Sequence, residues 1–121
     1  MNLEGLWSLE LGTNMGLSEA GIIIFRYGRI IGGDSFHVYS GQFTLIGQDQ
    51  IKGNIEITNY KETLNRVFGS SKQFTINMSG PFHIVESSKN NKPQMVIDGY
   101  LNTNKDQIVR LICEKQLDVK W

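Results

Sequence analysis

Ile51-Lys52-Gly53-Asn54-Ile55-Glu56-Ile57-Thr58 alternates apolar or small residues with polar ones, and Gln73-Phe74-Thr75-Ile76-Asn77-Met78 repeats the pattern. A period of two sends every apolar side chain to one face of an extended chain, which is how a half-buried strand reads. The same reading carried outward predicts strands near 4–11, 19–26, 29–32, 36–46, 50–60, 72–84, 94–102 and 107–117. The breaks between them are short, Gly47 to Asp49 and Asn104 to Asp106 among them, so neighbours in sequence pair as antiparallel hairpins.

Glycine placement argues for closure into a barrel. Four predicted strands carry glycine in mid-strand, at Gly41, Gly53, Gly80 and Gly99. Glycine weakens a strand, so repeated use marks places where a sheet coils tightly. The expectation is an all-β fold, an eight-stranded antiparallel up-and-down barrel, built as a single domain over residues 1–121. Its inward set is Trp7, Leu9, Leu11, Tyr39, Phe43, Leu45, Ile55, Ile57, Phe74, Ile76, Met78, Met95, Ile97, Val109, Leu111 and Cys113. The one long connection, Lys61 to Ser71, drops the alternation and sets Leu64, Val67 and Phe68 at helical spacing, predicting a short helix or ordered loop over one barrel mouth. Asn-rich Ser87 to Lys92, closed by Pro93, reads as a hairpin tip.

Composition narrows the function. In 121 residues, 12 basic and 12 acidic side chains cancel, so no net field draws the chain onto phosphates, and direct nucleic-acid binding is not expected. The single Cys113 has no partner for an internal disulfide and stands in an apolar run, which suits a reducing compartment. Glu4, Ser8 and Glu10 interrupt any run resembling the roughly 7–15 apolar residues of an export signal. The longest apolar run, around Ile22 to Phe25, falls far short of the roughly 18 residues of a spanning helix. The expectation is a cytoplasmic protein without a membrane segment.

The opening Gly5-Leu6-Trp7 resembles the Gly-x-Trp of the first strand in lipocalin-like barrels, and Arg110 on the last strand resembles the basic residue that packs over that tryptophan. A wider resemblance runs through Gly5 to Leu11, Ala20 to Phe25, Arg29 to Gly41 and Ile51 to Tyr60. Gly32-Gly33-Asp34 followed by Tyr39-Ser40-Gly41 is its most specific part. These residues resemble the GrlR family, negative regulators of type III secretion in bacteria. The resemblance implies a homodimeric barrel with an apolar cavity that represses by capturing a helix-turn-helix transcriptional activator. The family's known regulator holds its activator through an exposed Glu-Asp-Glu-Asp run, whereas the corresponding loop here is Gly47-Gln48-Asp49-Gln50, where only Asp49 is charged.

No catalytic, cofactor or metal motif accompanies this pattern. His37 and His83 lie on different predicted strands at no metal-ligand spacing, and neither a phosphate loop, a Cys-x-x-Cys pair nor a nucleophile elbow is present. Gly32, Gly33 and Asp34 read first as a structural turn whose aspartate bonds nearby amides. Trp7, Tyr39, Phe43, Phe74, Met78, Phe82 and Met95 are the candidates for lining a cavity, or for filling it, since eight strands permit both. Leu64, Val67, Phe68 and Asp49 are the candidates for binding a protein partner. Outward Ile22 and Ile24 on the second strand and Ile108 and Ile112 on the last break the polar-out rule and are the expected dimer face. Two readings follow: a non-catalytic regulator that binds another protein, or a cytoplasmic carrier of a small apolar ligand.

Overall fold

The computed structural model describes residues 3–13, 16–60, 73–86, 92–102 and 107–118. Its strands are β1 (Gly5–Thr13), β2 (Gly16–Arg26), β3 (Arg29–Gly33), β4 (His37–Ile46), β5 (Gln50–Asn59), β6 (Gln73–Glu86), β7 (Pro93–Leu101) and β8 (Ile108–Leu117). Each pairs antiparallel with the next, and β8 returns to β1, so the eight-stranded up-and-down barrel closes as expected. The expected helix or loop over 61–71, with Leu64, Val67 and Phe68, lies outside the described residues, as does most of the hairpin tip at 87–92. Among the described residues no helix is long and apolar enough to cross a membrane.

Alternation sorts the side chains. The inward-facing apolar residues gather in one buried cluster that includes Trp7, Phe25, Tyr39, Ile55, Phe74, Ile76, Met95 and Leu111. Leu45 departs from the expected inward set, being 44% exposed. Its parity is right, but β3 begins opposite it too late: the β3–β4 ladder ends at Arg29 facing Gln42, and the last bond is Phe43 N–H to Gly28 O at 2.8 Å. Past that bond β4 continues toward its turn without a β3 neighbour, so Leu45 faces an open step.

β4 and β5 approach each other closely at two mid-strand glycines. Gln42 pairs with Asn54 there, flanked by Gly41 and Gly53. A Cβ at Gly41 would lie 1.9 Å from the Asn54 carbonyl oxygen, and one at Gly53 would lie 2.3 Å from that of Gln42. The obstacle is backbone, which has no rotamer to yield, so the two strands approach this closely only because both are glycine. Gly80 differs from the other mid-strand glycines: nothing crowds it, and it takes φ 147° within the irregular register of β6 between Met78 and Phe82.

Gly41→Ala is therefore expected to cost about 3 kcal/mol in urea unfolding, at the upper end for overpacking. Gln42→Ala, exposed on the adjacent position, is expected to stay within about 0.5 kcal/mol. Equal effects of the two substitutions would contradict this account of the close approach.

Candidate functional site

Asp34 follows β3 and organises the turn into β4. Its Oδ1 accepts the backbone N–H of Phe36 at 2.7 Å and of His37 at 2.8 Å, so the carboxylate caps the turn as the sequence suggested. Period two then brings two further groups onto it, because His37 and Tyr39 share the inward face at the start of β4. His37 Nδ1 lies 3.0 Å from Oδ1, and the Tyr39 hydroxyl donates to Oδ2. The Tyr60 hydroxyl crosses from the end of β5 to donate to the Ser35 carbonyl at 2.9 Å. His37 is buried, with its ring tilted against Phe74 at 6.3 Å. Gly32 and Gly33 admit this packing: an added Cβ would lie 2.1 Å from Ile22 O at the first and 2.8 Å from His37 O at the second.

The electrostatics are those of a lock. Burial alone would raise the Asp34 carboxyl, but the hydrogen bonds of Tyr39, the Phe36 amide and His37, together with the imidazole charge, outweigh it and hold the group below the usual carboxylate range. Burial, reinforced by the bond to Asp34, pushes the Tyr39 phenol well above its ordinary value. A carboxylate so saturated with donors is a poor base, and a phenol so raised is a poor acid at neutral pH. Burial also pushes the Cys113 thiol up to about 12, which leaves it inert. Among the described residues no group of three or more His, Cys, Asp or Glu side chains is placed to hold a metal.

The opposite end of the barrel closes around Trp7. The indole is fully buried and donates from Nε1 to Leu3 O at 2.9 Å. The cation beside it is Lys115, with Nζ 5.6 Å from the ring centroid, and not Arg110 as the sequence suggested. Register explains the correction. Trp7 pairs with Lys115 across the β1–β8 seam, whereas Arg110 faces Gly12 on the outer side and bonds the exposed Asp98 at 2.8 Å. Lys115 is buried and reaches Asp118 Oδ1 at 2.7 Å. Gly5 makes room for it: at φ 149°, an added Cβ would fall 2.5 Å from Lys115 Cε. The Gly-x-Trp spacing thus serves the lysine that crosses the indole.

The candidate interaction residues separate. All seven cavity candidates, Trp7, Tyr39, Phe43, Phe74, Met78, Phe82 and Met95, belong to the single buried cluster. Asp49 sits on the β4–β5 turn, while Tyr60 and Gln73, which flank the 61–72 segment, lie at the other ends of β5 and β6, so Asp49 is a barrel length away from where that segment leaves and re-enters. Ile22 and Ile108 are exposed, Ile24 and Ile112 half-buried. These four do not form one stripe, because β1 runs between β2 and β8 and turns Ser8 toward Ile22 and Glu10 toward Ile112.

Ile112 instead borders a cleft of about 140 Å³ with Ser8, Glu10, Gln94, Cys113 and Glu114. The outward apolar surface that does connect runs the other way. Leu6 pairs with Ile24 and Ile24 with Ile31, beside the row of Ile22, Gly33 and Val38. The sequence reading missed Ile31 and Val38, 61% and 50% exposed, although their outward parity was visible. Comparison with known protein families and with curated proteins finds no match to this chain.

Asp34→Asn is expected to lower stability at neutral pH by about 2 kcal/mol, the scale of hydrogen bonds to a charged acceptor. The folded carboxyl lies below its unfolded value of about 3.9. Its contribution is therefore complete above that pH and disappears as pH falls through the folded value, so the gap between wild type and variant in urea unfolding should close in acid. Tyr39→Phe, which removes one donor, should move the Asp34 titration upward in carbon-detected NMR. An unmoved titration would show that the phenol does not hold the carboxylate.

Proposed function

We propose that this barrel is a non-catalytic regulatory protein of GrlR type, a cytoplasmic repressor that works by binding other proteins. It pairs with a second copy through the outer face of β1–β4 and sequesters a helix-turn-helix transcriptional activator of a type III secretion system. The observation that carries the protein-binding reading is the connected outward patch of Leu6, Ile22, Ile24, Ile31 and Val38. A connected apolar patch on an outer sheet face has a free-energy reason to be covered. The carrier reading has less support, since its candidate lining residues belong to the same cluster as the rest of the core. The partner's identity rests on the resemblance alone, and a single charge at Asp49 contributes only about 0–1 kcal/mol to holding it.

Affinity capture from native lysate, read by mass spectrometry, tests the reading: a helix-turn-helix regulator is expected, and a small apolar molecule retained in native mass spectrometry would sink it. Ile31→Glu is expected to convert a dimer into a monomer in sedimentation velocity at roughly tens of micromolar, the working scale of a moderate interface. A monomeric wild type under the same conditions would remove the self-association.

A further inference from the structure

The β2–β3 hairpin stops short of its neighbour and leaves a step in the barrel rim. Arg26-Tyr27-Gly28-Arg29 turns with φ 49° at Tyr27 and 74° at Gly28, the two-residue turn that follows strand twist. A bulky residue rarely takes positive φ, and here it is held: Glu4 Oε2 accepts the Tyr27 N–H at 2.7 Å, and the Arg26 guanidinium lies 4.6 Å from the ring centroid. Tyr27 is nevertheless 75% exposed.

Above this tip β4 continues through Thr44, Leu45 and Ile46 with no β3 partner. Phe43 directs its N–H toward Gly28, and amides alternate sides along a strand, so the N–H and C=O of Leu45 point into the same step. Among the described residues no strand pairs with them on that side. Leu45 and Ile46 are 44% and 55% exposed. Arg29 and Lys52, which flank the step on the outer face, form no ion pair among the described residues.

We infer that this step is a docking site for an extended, acidic–apolar segment of a partner protein, which adds a short strand to the free edge of β4 against the Tyr27 ring. Unsatisfied main-chain groups beside two exposed apolar side chains call for a strand. A rigid tyrosine flanked by arginine has the composition of a binding hot spot. The cations Arg29 and Lys52 select carboxylates over ammonium groups. The inference deepens the protein-binding reading; it uses main-chain groups of β4 beyond the β3–β4 ladder, whereas the self-association face consists of side chains within that ladder.

The test is fluorescence anisotropy with a labelled octapeptide of alternating glutamate and valine, and with its lysine–valine counterpart. The glutamate peptide is expected to bind at least about tenfold more tightly. Leu45→Pro removes the free N–H without touching the bonds to β5, and should abolish binding while the urea midpoint is retained. Arg29→Glu and Tyr27→Ala, both on the surface, should each weaken it about tenfold, and they keep the test decisive if the proline variant does not fold. Equal affinity for the two peptides, no binding of either, or unaltered binding by Arg29→Glu and Tyr27→Ala would overturn the proposal. So would loss of a dimer in Leu45→Pro, because the step would then belong to a second copy. Peptide binding that persists in a monomeric Val38→Gln, at the end of the apolar patch far from Arg29, separates this site from the self-association face.

Discussion

Closure of the ring is the constraint on which everything else in this barrel depends. Seven of the pairings join neighbours in sequence and cost little loop entropy, but β1 with β8 spans nearly the whole chain. That last seam must bring a large contribution of its own. It does so with Trp7, fully buried and capped by Lys115, whose aliphatic stem crosses the space left by Gly5. A cation over an indole is worth about 0.5–2 kcal/mol, and the ion pair to partly exposed Asp118 adds little beyond offsetting desolvation. The larger share comes from burying the indole, so the lysine secures the geometry more than it supplies the energy.

Closing eight strands also forces them to tilt and to stagger. Neighbouring hairpins therefore end at different heights, and the rim cannot be flat. β2–β3 turns at Tyr27 and Gly28 beside Phe43, while β4 and β5 run on to a turn at 47–49. The exposure of Leu45 is a direct consequence of that stagger. A rim step with free main-chain groups is thus produced by the geometry of closure, and the residues found in it give that step its chemistry.

The period-two pattern made the fold legible because both its terms are local: alternation decides which face is buried, and short polar breaks decide which strands pair. Strand positions and most of the interior followed from them. Long-range register was not legible, and each misplacement traces to it. Arg110 and Lys115 both sit on β8, and only the alignment with β1, with its irregularity between Leu6 and Trp7, decides which one meets the indole. The four isoleucines share outward parity, yet β1 stands between their strands, so parity alone joined residues that the ring holds apart. His37 was accessible in principle, because it shares inward parity with Tyr39 and stands three residues beyond the turn-forming Asp34. A histidine on a strand carries no apolar signal, so the sequence reads His37 as a structural or surface residue without naming the aspartate it meets.

The chemistry that looks most like an active site is the part least suited to act as one. Asp34, His37 and Tyr39 resemble a proton relay by composition, but the Asp34 carboxylate is taken up by the Phe36 and His37 amides of its own turn, the His37 ring and the Tyr39 hydroxyl. The carboxylate is kept ionised by the groups it would have to serve, and the phenol is kept protonated by burial and by the carboxylate. An arrangement of this kind fixes the path from β3 into β4, and with it the placement of Ile31 and Val38 on opposite sides of the turn. The lock therefore bears on the proposed protein binding through the outer surface: it holds in register β3 and β4, whose exposed Ile31 and Val38 belong to the apolar patch. Among the described residues the candidate cavity side chains share one buried cluster and the polar cluster holds its own turn, which is why the proposed binding is placed on the outer face and the rim.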